Sequence, residues 1–131
     1  MKKQIKSVHK FHTAFQLGIN SAPIADITER RHQLRFELMK EENEEYLEAA
    51  QNNDLVEVAD ALGDMLYILC GTIIEHGMQD VIEDVFDEIQ RSNMSKLGAD
   101  GLPIYREDGK VLKGPSYFKP NFTKVLEKAV R

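Results

Sequence analysis

Cysteine occurs once, at Cys70, so no internal disulfide can form, and its place inside an apolar run makes it a small core residue. A reducing compartment, the cytoplasm, is the expected setting. Positive charge is also in short supply, with 17 Lys and Arg against 22 Asp and Glu and a net charge of −5. The basic residues are scattered, with some clustering in the last third, and no concentrated basic face is available to grip a phosphate backbone, so no nucleic-acid partner is expected. Long hydrophobic runs are missing. The longest, ALGDMLYILCGTII at residues 61–74, is too short and too interrupted to cross a bilayer. The basic start MKKQIKSVHKFHTAF has no apolar stretch behind it, so neither a secretory signal nor a membrane span is expected. Internal repeats and low-complexity tracts are absent too. What remains, 131 residues of which 42% are hydrophobic, suits a single domain over residues 1–131 with a core of ordinary size.

Hydrophobic periodicity places four helices before an irregular tail. The first, about 4–17, aligns Ile5, Val8, Phe11, His12 and Phe15, and SAPIAD then breaks the pattern. The second starts at Asp26, a side chain suited to capping a first turn, and runs to about Gln51. The third follows after Asn52, Asn53 and Asp54 and ends near Gly77; so short a connection makes these two helices antiparallel neighbours. The fourth spans about Gln79 to Leu97, with Ile82, Val85, Phe86 and Ile89 as its apolar stripe, extended by Asn93 and Lys96, and Gly98 as its stop. The expected fold is therefore all-α, a four-helix bundle-like core over about 4–97 with a tail over 98–131. Asp108-Gly109 between two β-prone runs predicts a small β-hairpin in that tail, and PNFTKVLEKAV reads as a short terminal amphipathic helix.

Against this background Asp64 is anomalous. It sits alone among apolar and tiny side chains, and a carboxylate there is costly unless something positive meets it. At about 100° per residue, Asp60 and Glu57 fall within roughly 60° of it on the same strip. In the preceding helix the stripe set by Leu34 and Leu38 continues through Glu42 and Glu45 to Ala49, so two acids take core-facing positions, with Glu41 at the edge of the arc. Glu37, Glu44 and Glu48 read as a solvated face. Glu57 is explained equally well as an acid favoured by the helix N-terminal dipole. A buried pair with lysine or arginine is the structural alternative for Asp60 and Asp64, and the apolar run offers no such partner nearby.

Carboxylates gathered on the facing sides of two adjacent helices repel one another in a low dielectric, and a divalent cation removes the conflict. Hard oxygen donors suit Mg²⁺, with Mn²⁺ as a substitute, rather than zinc or iron. A di-iron carboxylate protein calls for Glu-x-x-His pairs on the inner face of a bundle, and none is expected on these two helices. Magnesium held by several carboxylates commonly serves a substrate phosphate, which points to metal-assisted phosphoryl or nucleotidyl transfer.

LMKEENEEY, with Glu41, Glu42 and Glu45 spaced as EExxE, followed on the next helix by Asp64 in DMLY, resembles the all-α nucleoside triphosphate pyrophosphohydrolases, among them MazG-like proteins, dimeric dUTPases and phosphoribosyl-ATP pyrophosphohydrolase. The similarity covers about residues 5–97. The family pattern has an acid three residues before the last Asp, where this chain has Ala61; Asp60 stands one position earlier, and Glu57-x-x-Asp60 is the other possible match. RSNMSKLGADGLPIYREDGKVLKGPSY resembles the phosphate-contacting element and lid of a bacterial and phage subgroup. This implies Asn93 and Lys96 as substrate contacts, with Lys113 and Tyr117 as weaker candidates.

The resemblance implies hydrolysis of a nucleoside triphosphate between its α and β phosphates. Glu42, Glu45, Asp60 and Asp64, with Glu57 as a further candidate, would hold Mg²⁺; Glu41 would act on the water and Lys96 on the leaving pyrophosphate. Nucleotide-pool house-cleaning by a homodimer or homotetramer is what such a family implies. Phosphoribosyl-ATP or dUTP are alternative substrates. A non-enzymatic helical module that binds a cation or a basic partner is the reading from a different class.

Overall fold

The computed structural model describes residues 1–129, and all of its regular elements are helices: α1 (Lys2–Ala14), α2 (Glu29–Gln51), α3 (Leu55–Glu75), α4 (Ile82–Met94) and α5 (Phe122–Ala129). They fall into two compact units, Met1–Asp80 and Val81–Arg131. The last two residues of the expected tail, 130 and 131, lie outside the described residues.

In the first unit, α2 and α3 form the long antiparallel pair and α1 packs on α3. At 23 residues, α2 is about 35 Å long. It begins three residues later than the sequence suggests. Thr28 is its cap, its side chain accepting from the Arg31 N–H at 3.3 Å, while Asp26 caps only the preceding turn by accepting from the Thr28 N–H at 2.8 Å. The turn to α3 is tight because Asn53 takes a left-handed conformation (φ 52°), which a short amide side chain tolerates. Asp54 then caps α3 through the Glu57 N–H.

The inward line of α2 also differs from the expected stripe. Arg35 and Ala49 are buried and Glu42 half-buried, spaced by seven, while Leu34 and Glu45 are exposed. A pair of long helices meets along a near-heptad line, so one flank of a broader apolar arc stays outside. The same holds for α3, which is not buried all round: Ala61, Cys70, Ile73 and Ile74 are buried, whereas Leu62, Leu66 and Leu69 remain 51%, 41% and 44% exposed. On α1, Ile5, Val8 and His12 face inward, and Phe11 and the C-cap residue Phe15, expected beside them, do not.

The C-terminal end of α3 is held by a charge cluster. Glu75, 1% exposed, receives Nε and Nη2 of Arg31 at 2.7 and 2.8 Å, and Nη1 of Arg35 lies 3.2 Å from its second oxygen. Arg35 also donates to Thr72 Oγ1 at 3.0 Å and to the Ile68 carbonyl at 2.6 Å. Space here is fully used: a Cβ on Gly71 would fall 2.6 Å from Arg35 Nη2 and 2.7 Å from His12 Nε2. The 15–28 segment closes over this end, Asn20 donating to the carbonyls of Ile74 and Glu75. Gly77 (φ 66°) lets the chain pass Ala22 where a Cβ would collide with its carbonyl.

The second unit holds α4, an irregular segment and α5. α4 is shorter than the expected 79–97. Ser95 follows it, and Gly98, rather than stopping the helix, donates its N–H to the Leu102 carbonyl at 2.8 Å. Phe86 and Ile89, expected on a buried stripe, are exposed, and Ser92 is the buried residue of the helix, its hydroxyl donating to the Phe118 carbonyl at 2.8 Å. The hairpin is minimal, a single antiparallel bridge between Tyr105 and Val111 around a turn with Gly109 at φ 86°. The terminal helix forms as expected, capped by Asn121 through the Lys124 N–H.

Glu75→Ala leaves two arginines without their shared carboxylate, one of them buried, and should lower unfolding free energy by about 3–5 kcal/mol. Denaturant unfolding followed by circular dichroism measures this.

Candidate functional site

Antiparallel pairing brings the middle of α2 to the middle of α3, and with it the acids. Glu42 is half-buried, with its Oε2 fully enclosed and without a hydrogen-bond partner. Glu45, Asp60 and Asp64 are near enough for their charges to act on it. Burial, a hydrogen bond with Glu45 and the charges of Asp64, Glu45 and Asp60 together push the Glu42 carboxyl up to about 7. Asp64, half-buried, is raised by burial and then by the charges of Asp60 and Glu45. Charge repulsion of this kind disfavours ionisation and would be relieved by a positive ligand. The arginines that might have neutralised Asp64 are engaged by Glu75 instead.

An open cleft of about 410 Å³ continues from these acids to the α2–α3 turn, lined by Glu45, Glu48, Asp54, Glu57 and Asp60 among others. Glu57 thus shares a wall with Glu45 and Asp60, so both forms of the second acidic motif, Asp60 with Asp64 and Glu57 with Asp60, lie on one side of α3. Glu48, read from the sequence as part of a solvated face, lines the cleft while remaining exposed. Glu41 is exposed on α2.

The donor set fits a hard divalent cation: four carboxylates, one with a buried oxygen left without a partner. Among the described residues no group of three or more His, Cys, Asp or Glu side chains is gathered closely enough to hold a metal as placed. Glu45 and Asp60, both exposed, are the ones able to turn inward.

The sequence does contain one Glu-x-x-His pair, Glu29 with His32, in the first turn of α2. It offers no di-iron motif, because His32 Nε2 lies 2.9 Å from the Ala25 carbonyl and 3.2 Å from the Ile27 nitrogen, donating to the first or accepting from the second according to its tautomer, and its ring stacks on His76.

Asn93, Lys96, Lys113 and Tyr117 all belong to the second unit. Asn93 is exposed in the last turn of α4, and Lys96 lies just beyond the helix, where its carbonyl accepts from the Gly114 N–H at 2.8 Å. Gly114 is required at that junction, since a Cβ would meet the Leu97 carbonyl at 2.2 Å. The Lys113 ammonium lies 4.8 Å from the Tyr117 ring centroid, a cation–π contact. What sequence reasoning missed is the Glu75–Arg31–Arg35 cluster. Its signal was available, two arginines four residues apart on one helix and an acid closing the apolar helix that follows.

The family model for phosphoribosyl-ATP pyrophosphohydrolase matches residues 8–93, which include every acid of the site. No curated protein matches the chain significantly. Among solved structures, a candidate NTP pyrophosphohydrolase from Exiguobacterium sp. 255-15 is 31% identical with a TM-score of 0.49, the match covering 79% of this chain and 64% of that one. This chain therefore spans less than two thirds of that relative's length.

A Glu42 carboxyl at about 7, against 4.5 ordinarily, binds its proton more tightly in the folded than in the unfolded chain. Stability of the metal-free protein should therefore fall as pH rises from about 5 to about 8, the opposite of a salt-bridged acid. Melting temperature across that range reads the slope, and Glu42→Gln should flatten it.

Proposed function

The chain belongs to the phosphoribosyl-ATP pyrophosphohydrolase family, and from that premise we propose that it is a Mg²⁺-dependent nucleoside triphosphate pyrophosphohydrolase, adding water across the α–β anhydride to give a nucleoside monophosphate and pyrophosphate. The observation that supports this most directly is the unpartnered Glu42 oxygen among Glu45, Asp60 and Asp64. These four carboxylates would hold the cation, with Glu57 at the margin of the set. Bound there, Mg²⁺ or Mn²⁺ supplies charge neutralisation for a polyphosphate and acidifies water. Glu41, one residue from the site and open to solvent, orients or deprotonates the attacking water. Lys96 stabilises negative charge on the departing pyrophosphate, and Asn93 positions phosphate or sugar by hydrogen bonding. Lys113 and Tyr117 are further substrate contacts from the tail.

The exposed stripe of Leu62, Leu66 and Leu69 on α3 supports a homodimer or homotetramer in which that stripe is covered. The role proposed with this activity is house-cleaning of nucleotide pools in the cytoplasm; no helix among the described residues is long and apolar enough to cross a membrane. The family match favours including phosphoribosyl-ATP beside the common nucleotides and dUTP in any substrate panel.

Incubation with Mg²⁺ and that panel, followed by chromatography, should yield monophosphate and pyrophosphate. Asp64→Asn should lower the rate at least about 100-fold, a loss of the size seen when transition-state charge stabilisation is removed. Diphosphate and phosphate as products would refute the cleavage position. Mg²⁺ should also raise the melting temperature of the wild type and not of Asp64→Asn; stabilisation by the cation without turnover on any nucleotide would favour a cation-binding module.

A further inference from the structure

Basic residues are few in this chain, yet four of its 17, Lys2, Lys3, Lys6 and Lys10, stand on the 13 residues of α1, which carries no acid. All four are exposed, and among the described residues no ion pair reaches any of them. Arg31 and Arg35 of α2, by contrast, are met by Glu75.

As placed, the lysines work against their own helix. Lys2 with Lys6 and Lys6 with Lys10 are like charges at i, i+4, a destabilising arrangement. Lys2 and Lys3 also occupy the first turn, where the helix dipole favours acids. A local rule broken without a compensating contact in the chain points to a functional constraint.

The lysines share a concave surface as well. With Ile5, Val8 and His12 turned to the core, Lys3, Lys6 and Lys10 form a row on the outer side of the helix, within about 60° of one another and about 10.5 Å long. A cleft of about 520 Å³ runs along that row, lined by Lys3, Lys6, Ser7, His9, Lys10 and Thr13 among others. Among the described residues its ionisable lining groups are three lysines and a histidine, and none of Glu42, Glu45, Asp60 and Asp64 borders it. The hydroxyls of Ser7 and Thr13 donate back to the Lys3 and His9 carbonyls, so charge is what the cleft offers a ligand.

We propose that the lysine row of α1 binds short linear polyphosphates, at a site separate from the acids of α2 and α3. Ammonium groups recurring along one line match an anion whose charges recur along a chain, and the row is too short and too lightly charged to follow a nucleic-acid backbone. Lysine is a mobile point charge with three donors, so it accepts phosphate oxygens without fixed geometry and the site reads charge density. Tripolyphosphate therefore binds more tightly than pyrophosphate, and pyrophosphate more tightly than phosphate. The inference does not rest on the hydrolase reading, because without a metal the acids repel the anions that α1 attracts.

Calorimetric titration of the metal-free full chain with inorganic tripolyphosphate at low ionic strength tests this. Lys6→Glu, at the centre of the row, should weaken binding roughly 10-fold, since it replaces an attraction by a repulsion and an exposed charge pair is worth at most about fivefold. Lys40→Glu, at an exposed lysine of α2, changes the net charge equally and should bind within about twofold of the wild type. Lys6→Glu also removes two like-charge pairs, so its melting temperature without ligand should not fall, which separates lost binding from lost structure.

No binding by the wild type, or an equal loss in Lys6→Glu and Lys40→Glu, would overturn the site. So would metal-free ATP binding more tightly than tripolyphosphate, since the nucleoside would then be what is recognised. A short oligothymidylate that displaces tripolyphosphate at lower concentration would likewise overturn it, in favour of single-stranded nucleic acid.

Discussion

Glu75 places a full negative charge at the end of an apolar helix, out of reach of water, and the first unit is arranged around satisfying it. Arg31 and Arg35 reach it from α2, and His12 and Gly18 close in from α1 and its following loop, where the His12 Nδ1 lies 2.8 Å from the Gly18 carbonyl. A buried charge without partners costs several kcal/mol, so these groups stand or fall together. Arg35 does more than pair, since its bonds to Thr72 and the Ile68 carbonyl set the axial register of α2 against α3. Seven residues along α2 from Arg35 and eight back along α3 from Thr72 stand Glu42 and Asp64. The structural cluster and the candidate site are thus two stations on one interface, the first fixing the alignment of the second.

The two stations differ in a way that separates structure from function. At one, a single carboxylate is met by two guanidinium groups of the same chain. At the other, the charges of Glu45, Asp60 and Asp64 act on Glu42, and together with burial they push its carboxyl up to about 7. Such tension would be eliminated easily by a neutral or basic substitution if stability alone mattered.

The second unit is built on different principles. It has little buried apolar surface of its own and is held by hydroxyls and backbone: Ser92 to Phe118, Ser95 to both, and the close approach of Gly114 to Leu97. Arg91 is paired with Glu88 while its guanidinium lies 4.4 Å from the Phe118 ring centroid, and Glu88 also accepts from the Asn121 N–H, so the chain after α4 is tied back near the start of α5. Polar clasps of this kind fix a path for an irregular segment without needing a core.

By itself the sequence determined the helices, because their periodicity is local and each can be read within its own few turns. It determined that Glu42 and Asp64 are out of place, since an acid amid apolar neighbours is anomalous whatever the fold, and that a short link makes their helices antiparallel. Tertiary structure decided which flank of each stripe is buried. Leu34, Leu62 and Phe15 are as apolar as Ala49 and Ile74, and only the line along which two helices meet distinguishes them. It also decided where the arginines go. Charge partners 44 and 40 residues apart cannot be assigned from spacing, because several acids offered themselves to Arg31 and Arg35, and the choice of Glu75 depends on the axial register of two packed helices.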